Sequence, residues 1–130
     1  VRYAHTVLGD STEAGNLIVG ETFTPPGNWS AFPPHRHDID DPPRESDNEE
    51  IYFFRTKPPQ GFQIIRMYND SRSMDESLCA ENNDAVIITE GYHPVVVAPG
   101  YRGYYLWALA GDKRESHTHT DPAHEWVDKA

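Results

Sequence analysis

Glu50-Ile51-Tyr52-Phe53-Phe54 is the stretch that decides the fold. Aromatic and β-branched side chains suit a pleated, half-buried surface. Pro58-Pro59-Gln60-Gly61 closes the run with a turn. The stretch is therefore a strand, and its neighbours repeat the theme. Residues 16 to 24, 62 to 68, 77 to 81, 85 to 89, 95 to 98 and 103 to 109 are each strand-like. Turn residues separate them: Pro25-Pro26-Gly27-Asn28, Asn69-Asp70-Ser71, Asn82-Asn83-Asp84, Glu90-Gly91 and Pro99-Gly100. Short strands at this spacing, without helical periodicity between them, predict an all-β sandwich or barrel. Residues 38 to 49 predict an acidic, proline-containing loop. The polar stretch after Gly111 predicts irregular structure or a short helix.

The chain has 130 residues, which suits a single domain over 1–130. Mean hydropathy is −0.72, but seven Tyr, five Phe and three Trp supply enough bulk for one core. Net charge is −10, from 21 acidic against 11 basic residues. That balance argues against nucleic acid, whose binders are basic, and against a membrane surface, which prefers a basic face. A small molecule, another subunit or a metal is the expected partner. No apolar run approaches membrane-span length, and no signal-peptide pattern opens the chain. The chain starts without Met, which fits a fragment or a processed product. The single cysteine, Cys79, excludes an internal disulfide and is compatible with a cytoplasmic location. It is expected to be a buried structural thiol.

The chemistry concentrates at His35-Arg36-His37. Residues i and i+2 of a strand face the same way, so both imidazoles can reach one metal. The Pro33-Pro34 pair gives them an extended lead-in. An acid opens the next strong strand, and His93, in Gly91-Tyr92-His93-Pro94, opens a later one. Three imidazoles and one carboxylate suit Zn, Mn, Fe, Ni or Co, with Zn placed first among them. Glu49 and Glu50 both qualify as the acid. If Glu50 points inward, Tyr52 and Phe54 fill the barrel; if Glu49 does, Ile51 and Phe53 do. The pattern alone leaves both open.

The order His-x-His, Glu, distant His resembles the cupin superfamily, a jelly-roll barrel. Several strings are narrower. Thr24-Pro25-Pro26-Gly27-Asn28-Trp29-Ser30, Pro33-Pro34-His35-Arg36-His37-Asp38, Glu49-Glu50-Ile51-Tyr52, Pro58-Pro59-Gln60-Gly61-Phe62 and Gly91-Tyr92-His93-Pro94 resemble the 5-deoxy-glucuronate isomerase family of inositol catabolism. The resemblance runs over nearly the whole chain and matches that family's C-terminal half. Members typically carry a second, N-terminal cupin-like half. The sister family, the ketol-isomerase of a pectin-derived deoxy-hexosulose-uronate, places one glutamate directly before a Val/Ile-Tyr-Phe strand. That resemblance selects Glu50, and it extends to Tyr104 and to Asp121-x-x-His124. The long loop between His37 and Glu50 departs from the common cupin spacing, but the inositol branch tolerates it.

The resemblance implies conversion of 5-deoxy-glucuronate to 5-dehydro-2-deoxy-gluconate, an aldose–ketose isomerisation. Such a reaction needs a Lewis acid at the carbonyl, a base that moves a proton between adjacent carbons, and a cation for the carboxylate, ideally Arg. His35, His37, Glu50 and His93 are the expected metal ligands. Glu76 and Tyr104 are the candidates for proton transfer, with His124 weighed beside them. Arg66, Trp29 and His124 are the candidates for substrate contact. Each has a plainer alternative: Glu76 a solvated rim residue, Tyr104 and Trp29 core, and Arg66 the outer sheet face. The second His-x-His, His117-Thr118-His119, lacks a following Glu-led strand and is expected to lie exposed in a loose tail. Two other functions remain open. One is a truncated or non-catalytic cupin that binds a metal and a sugar acid. The other is an iron dioxygenase, since fold and ligands do not fix chemistry. A homo-oligomer is compatible with all three.

Overall fold

In the computed structural model, residues 1–9 and 15–130 are described. Among the described residues, thirteen strands and a terminal 3₁₀ turn follow in order. They are β1 (Tyr3–Leu8), β2 (Leu17–Thr24), β3 (Trp29–Ser30), β4 (His35–Arg36), β5 (Asp38–Asp41), β6 (Glu45–Asp47) and β7 (Glu49–Lys57). Then come β8 (Phe62–Tyr68), β9 (Asp75–Glu81), β10 (Ala85–Ile88), β11 (Val95–Val97), β12 (Arg102–Ala110), β13 (His119–Thr120) and the turn Glu125–Lys129.

A five-stranded sheet, β1-β2-β12-β7-β10, faces a four-stranded one, β3-β11-β8-β9. Every named pairing is antiparallel. Alternation along β7 is strict: Glu50, Tyr52, Phe54 and Thr56 are buried, while Ile51, Phe53, Arg55 and Lys57 face out. Of the inward set, Tyr52 and Phe54 pack with Ile65, Met67, Ala80, Ile88, Val95 and Tyr105 to form the core. Glu50, near the start of β7, lines a cavity with His35 and His37 at the mouth of the barrel.

Two glycines are there because of what lies against them. A Cβ on Gly20 would sit 2.2 Å from Cζ2 of Trp107, so only a bare backbone lets that indole lie flat on β2. Gly91 has φ +88°, and a Cβ there would meet the Tyr68 carbonyl at 2.7 Å.

Three expectations change. Residues 38 to 49 form a hairpin, β5 and β6, instead of a loop. Glu45 explains it: its carboxylate accepts the backbone N–H of Asp38 (2.7 Å) and Ile39 (3.1 Å) and pairs with Arg36. The tail is not loose. β13 pairs with β4, setting Thr120 opposite His35 and His119 opposite Arg36. Cys79 is exposed, not buried; it pairs with the outward-facing Ile64 on the edge strand β9.

Candidate metal centre and pocket

Three segments converge on the mouth. β4 brings His35, with His37 immediately after it; β7 brings Glu50; and the turn before β11 brings His93. The hairpin makes the first two neighbours: the Asn48 N–H donates to the His37 carbonyl at 2.9 Å, and the His37 ring bonds back to the Asn48 carbonyl. That bridge sets Glu50 beside His37. At the third segment, Gly91 turns the chain, its N–H donates to Asp38 at 2.8 Å, and its carbonyl receives the His93 ring.

His37, Glu50 and His93 form a buried group whose ligand atoms lie close enough to hold one metal ion. The His35 ring packs edge-on against His93, with centroids 5.0 Å apart, and lines the same pocket. The donor set has a specific electronic arrangement. His37 Nδ1 is 2.8 Å from the Asn48 carbonyl, and His93 Nδ1 is 2.9 Å from the Gly91 carbonyl. A carbonyl only accepts, so both Nδ1 atoms carry the proton and both Nε2 atoms are left to coordinate. Those Nε2 atoms lie 2.8 Å and 3.1 Å from one Glu50 oxygen, Oε2. Neutral imidazole lone pairs aimed at a carboxylate oxygen are acceptors facing an acceptor. His93 Nε2 is fully buried and makes no hydrogen bond. A cation among these atoms resolves the conflict, so the residues present fit a metal.

A proton on His37 Nε2 can stand where that cation would, and His37 and Glu50 then form a buried ion pair. Burial works to raise the Glu50 pKa, but the bond from His37 and the nearness of His93 overcome it and hold the carboxyl at about 2. Burial opposes charge on His37 as well, yet its bond to Glu50 outweighs that and raises its pKa. His35 goes the other way: burial, then the neighbouring His93, lower it to about 3, so it is a neutral imidazole near neutral pH.

The cavity around this group measures about 200 Å³. Tyr52, Tyr105, Trp107 and Leu109 line its floor and wall, and Ser116 and Thr118 reach it from the C-terminal segment. Tyr52 stacks on Tyr105 with centroids 4.3 Å apart. Burial, with Glu50 and Tyr105 nearby, pushes the Tyr52 pKa well above the usual phenol value, so its hydroxyl keeps its proton.

The other candidates lie elsewhere. Arg66 is on the outer face of β8, between the buried Ile65 and Met67, and its guanidinium holds Asp75 with two bonds of 2.9 Å. Tyr104 is on the outer face of β12, where its hydroxyl donates to Glu21 at 3.0 Å. Trp29 also points outward, 46 % exposed, and packs on Phe32, whose other neighbour is the His124 ring. Glu76 stands opposite Met67 on the edge strand β9, exposed and outside the pocket lining. The pocket draws its arginine and its tryptophan from Arg2 and Trp107 instead. The parity of Trp107 was the available signal for one of them: it shares the odd positions of β12 with buried Tyr105 and Leu109.

Comparison with known proteins agrees with this architecture. The chain is 51% identical over 127 residues to the 5-deoxy-glucuronate isomerase of Bacillus velezensis, covering 97% of this chain and 47% of that protein. The crystal structure of an IolB-like protein from Salmonella typhimurium LT2 superposes with a TM-score of 0.95 at 40% identity, over 98% of this chain and 48% of that one. A cupin-like protein from Thermotoga maritima MSB8 superposes with a TM-score of 0.65 at 13% identity, over 92% of this chain and 75% of that one, a likeness of fold alone. The fold is a cupin, and the chain spans about half the length of the curated relatives it matches. The model of the KduI/IolB family matches residues 1–127, and the chain belongs to that family.

Proposed function

We propose that this chain is a metal-dependent aldose–ketose isomerase unit acting on 5-deoxy-glucuronate to give 5-dehydro-2-deoxy-gluconate. One observation carries the metal dependence: two carbonyl-fixed imidazoles aim their free nitrogens at one buried carboxylate oxygen. Relatives at 48% and 51% identity are 5-deoxy-glucuronate isomerases, which supports the reaction. The unit corresponds, in this proposal, to the C-terminal half of a two-cupin protein with a cytoplasmic role. Among the described residues no helix is long and apolar enough to cross a membrane.

A divalent ion of the Zn, Mn, Fe, Ni or Co class, held by His37, Glu50 and His93 with His35 beside them, would supply Lewis acidity at the sugar carbonyl. The protein's own groups do the rest. Trp107 and Leu109 wall the cavity and shed water from it. The protonated Tyr52 hydroxyl is a hydrogen-bond donor to a sugar oxygen that gains charge. Glu76 and Tyr104 do not line this cavity, so the proton that moves between adjacent carbons falls to a group inside it; Thr22, Tyr52, Tyr105, Ser116 and Thr118 are the hydroxyls there. Replacing His93 with Ala should abolish both metal retention and formation of keto product, followed by elemental analysis and NMR. Full activity in that variant would sink the proposal.

Homo-oligomerisation belongs to the same proposal. The outer face of the five-stranded sheet carries Ile51, Phe53 and Leu106, each more than a third exposed. Arg55, Lys57 and Arg102 lie at one end of that face and Glu49 at the other. Two such faces related by a two-fold axis would set basic ends on acidic ones.

A further inference from the structure

The pocket holds a cation that sequence patterning passes over. Arg2 precedes β1, whose Ala4 pairs with the buried Thr22. Side chains alternate along a strand, so Arg2 and Ala4 share the face turned to the cavity while Tyr3 and His5 face away. Both Arg2 and Ala4 line the cavity together with His35, Glu50 and Trp107. Ala4 is small, which leaves the space beside the guanidinium open.

Arg2 differs from the arginines that the chain's own acids satisfy. Arg36, Arg44 and Arg66 each pair with a carboxylate of the chain. Among the described residues Arg2 makes no hydrogen bond and no ion pair. In a chain of net charge −10, a cation that faces a cavity without a carboxylate of its own is suited to an anionic ligand. Its field already reaches the cavity wall, where it acts on His35, Tyr52 and Tyr105.

We propose that Arg2 binds the carboxylate of a sugar acid whose carbonyl end lies at His37, Glu50 and His93, with the Trp107 indole as the apolar wall for the carbon chain between. The planar guanidinium presents two parallel N–H groups to a carboxylate. The indole, laid flat on Gly20, offers a broad apolar face along the cavity. This assignment rests on the sugar-acid reading of the site, and it makes Arg2 a specificity residue: it separates uronates from neutral aldoses and takes no part in the proton transfer.

The test uses the zinc-loaded chain, titrated by calorimetry with D-glucuronate and with D-glucose, which differ only in the acid at the far carbon. Wild type should prefer glucuronate. Arg2→Gln should lose about 10- to 100-fold in glucuronate affinity, the range for a lost bond to a charged group, with glucose binding unchanged. Arg2→Lys should recover part of the loss, since it keeps the charge but not the fork. Arg2 is exposed and precedes the edge strand β1, so both variants should melt with wild type. Glucuronate affinity unchanged in Arg2→Gln, equal losses for both sugars, or no glucuronate binding to wild type would each overturn the assignment. Kinetics separate it from the isomerase reading. Arg2-dependent glucuronate binding without turnover of 5-deoxy-glucuronate keeps the anchor and removes the isomerase. Turnover with an unchanged KM in Arg2→Gln does the reverse.

Discussion

Replacing Gly20 with Ala puts a carbon 2.2 Å from Cζ2, 2.6 Å from Cε2 and 2.7 Å from Cη2 of Trp107. Ordinary contact begins at 3.4 Å, so the indole or β2 must give by 1.2 Å, the difference between 3.4 and 2.2. The indole cannot bend around the methyl, because all three atoms belong to one rigid ring system. It must swing into the cavity or force the strands apart. Overpacking of this kind costs about 1–3 kcal/mol, or roughly 4–12 °C in Tm for a chain of this length. The assay is thermal melting of four proteins: wild type, Gly20→Ala, Trp107→Leu and the double variant. Leucine lacks every offending atom, so the alanine should cost much less in the Trp107→Leu background. The difference between the two costs is the coupling energy of the pair. A Gly20→Ala protein that melts with wild type, or a cost that persists undiminished without the indole, would refute the reasoning. In the proposed enzyme the same swing narrows the cavity, so KM should rise more than kcat falls.

Tyr68→Phe should remove the 2.7 Å bond from the Tyr68 hydroxyl to the buried Asp121 carboxylate. The cost should be about 1.5–3 kcal/mol, and the Asp121 amide, which bonds the Pro34 carbonyl at 2.8 Å, should exchange faster in deuterated solvent; unchanged exchange would show that the hydroxyl does not fasten this segment. Asp70 gives a pH signature. The hydrogen bond from Tyr92, then Arg36, holds its carboxyl below the usual range. Its contribution is therefore present above the unfolded value near ~3.9 and is lost as pH falls through the lower folded value. Asp70→Asn should destabilise at neutral pH, and its urea midpoint should converge on that of wild type in strong acid; a gap that persists there would refute the linkage. Phe53→Glu on the apolar outer face should convert a dimer to a monomer in sedimentation equilibrium, and a monomeric wild type would dispose of the self-association proposal.

The sequence displayed the strands that alternate cleanly. In residues 50 to 57 every second residue is buried, and residues 62 to 68 coincide with β8. β1 stayed hidden because it has no buried residue at all; its strand character comes only from pairing with β2. β13 was hidden for a related reason: two polar residues become a strand only because β4 lies beside them. The pairing of His35 with His37 was legible because i, i+2 spacing is a local property, whereas the choice of Glu50 over Glu49 came from the family resemblance and not from the pattern. The wall and the anchor were not legible. A long cation in mid-strand, such as Arg66, suits an outer face as well as an inner one, and Asp75 on the adjacent strand satisfies it there. Trp107 lies in Leu106-Trp107-Ala108-Leu109, a continuous apolar run in which parity with Tyr105 is the one mark of the inner face. Arg2 depends on the register of a strand that the sequence does not announce.

The pairing of β4 with β13 also has a consequence in time. Thr120 and His35 are partners from opposite ends of the chain, and closing so long a loop is entropically costly and slow. Glu50, His37 and the Asn48 bridge belong to one short hairpin that can form early. His35 loses its supporting strand whenever residues 119 and 120 are unmade or detached. A chain emerging from the ribosome would therefore assemble the buried three-residue group first and fasten His35 last, so this arm should be the first part of the site to be lost to nicking within the C-terminal segment.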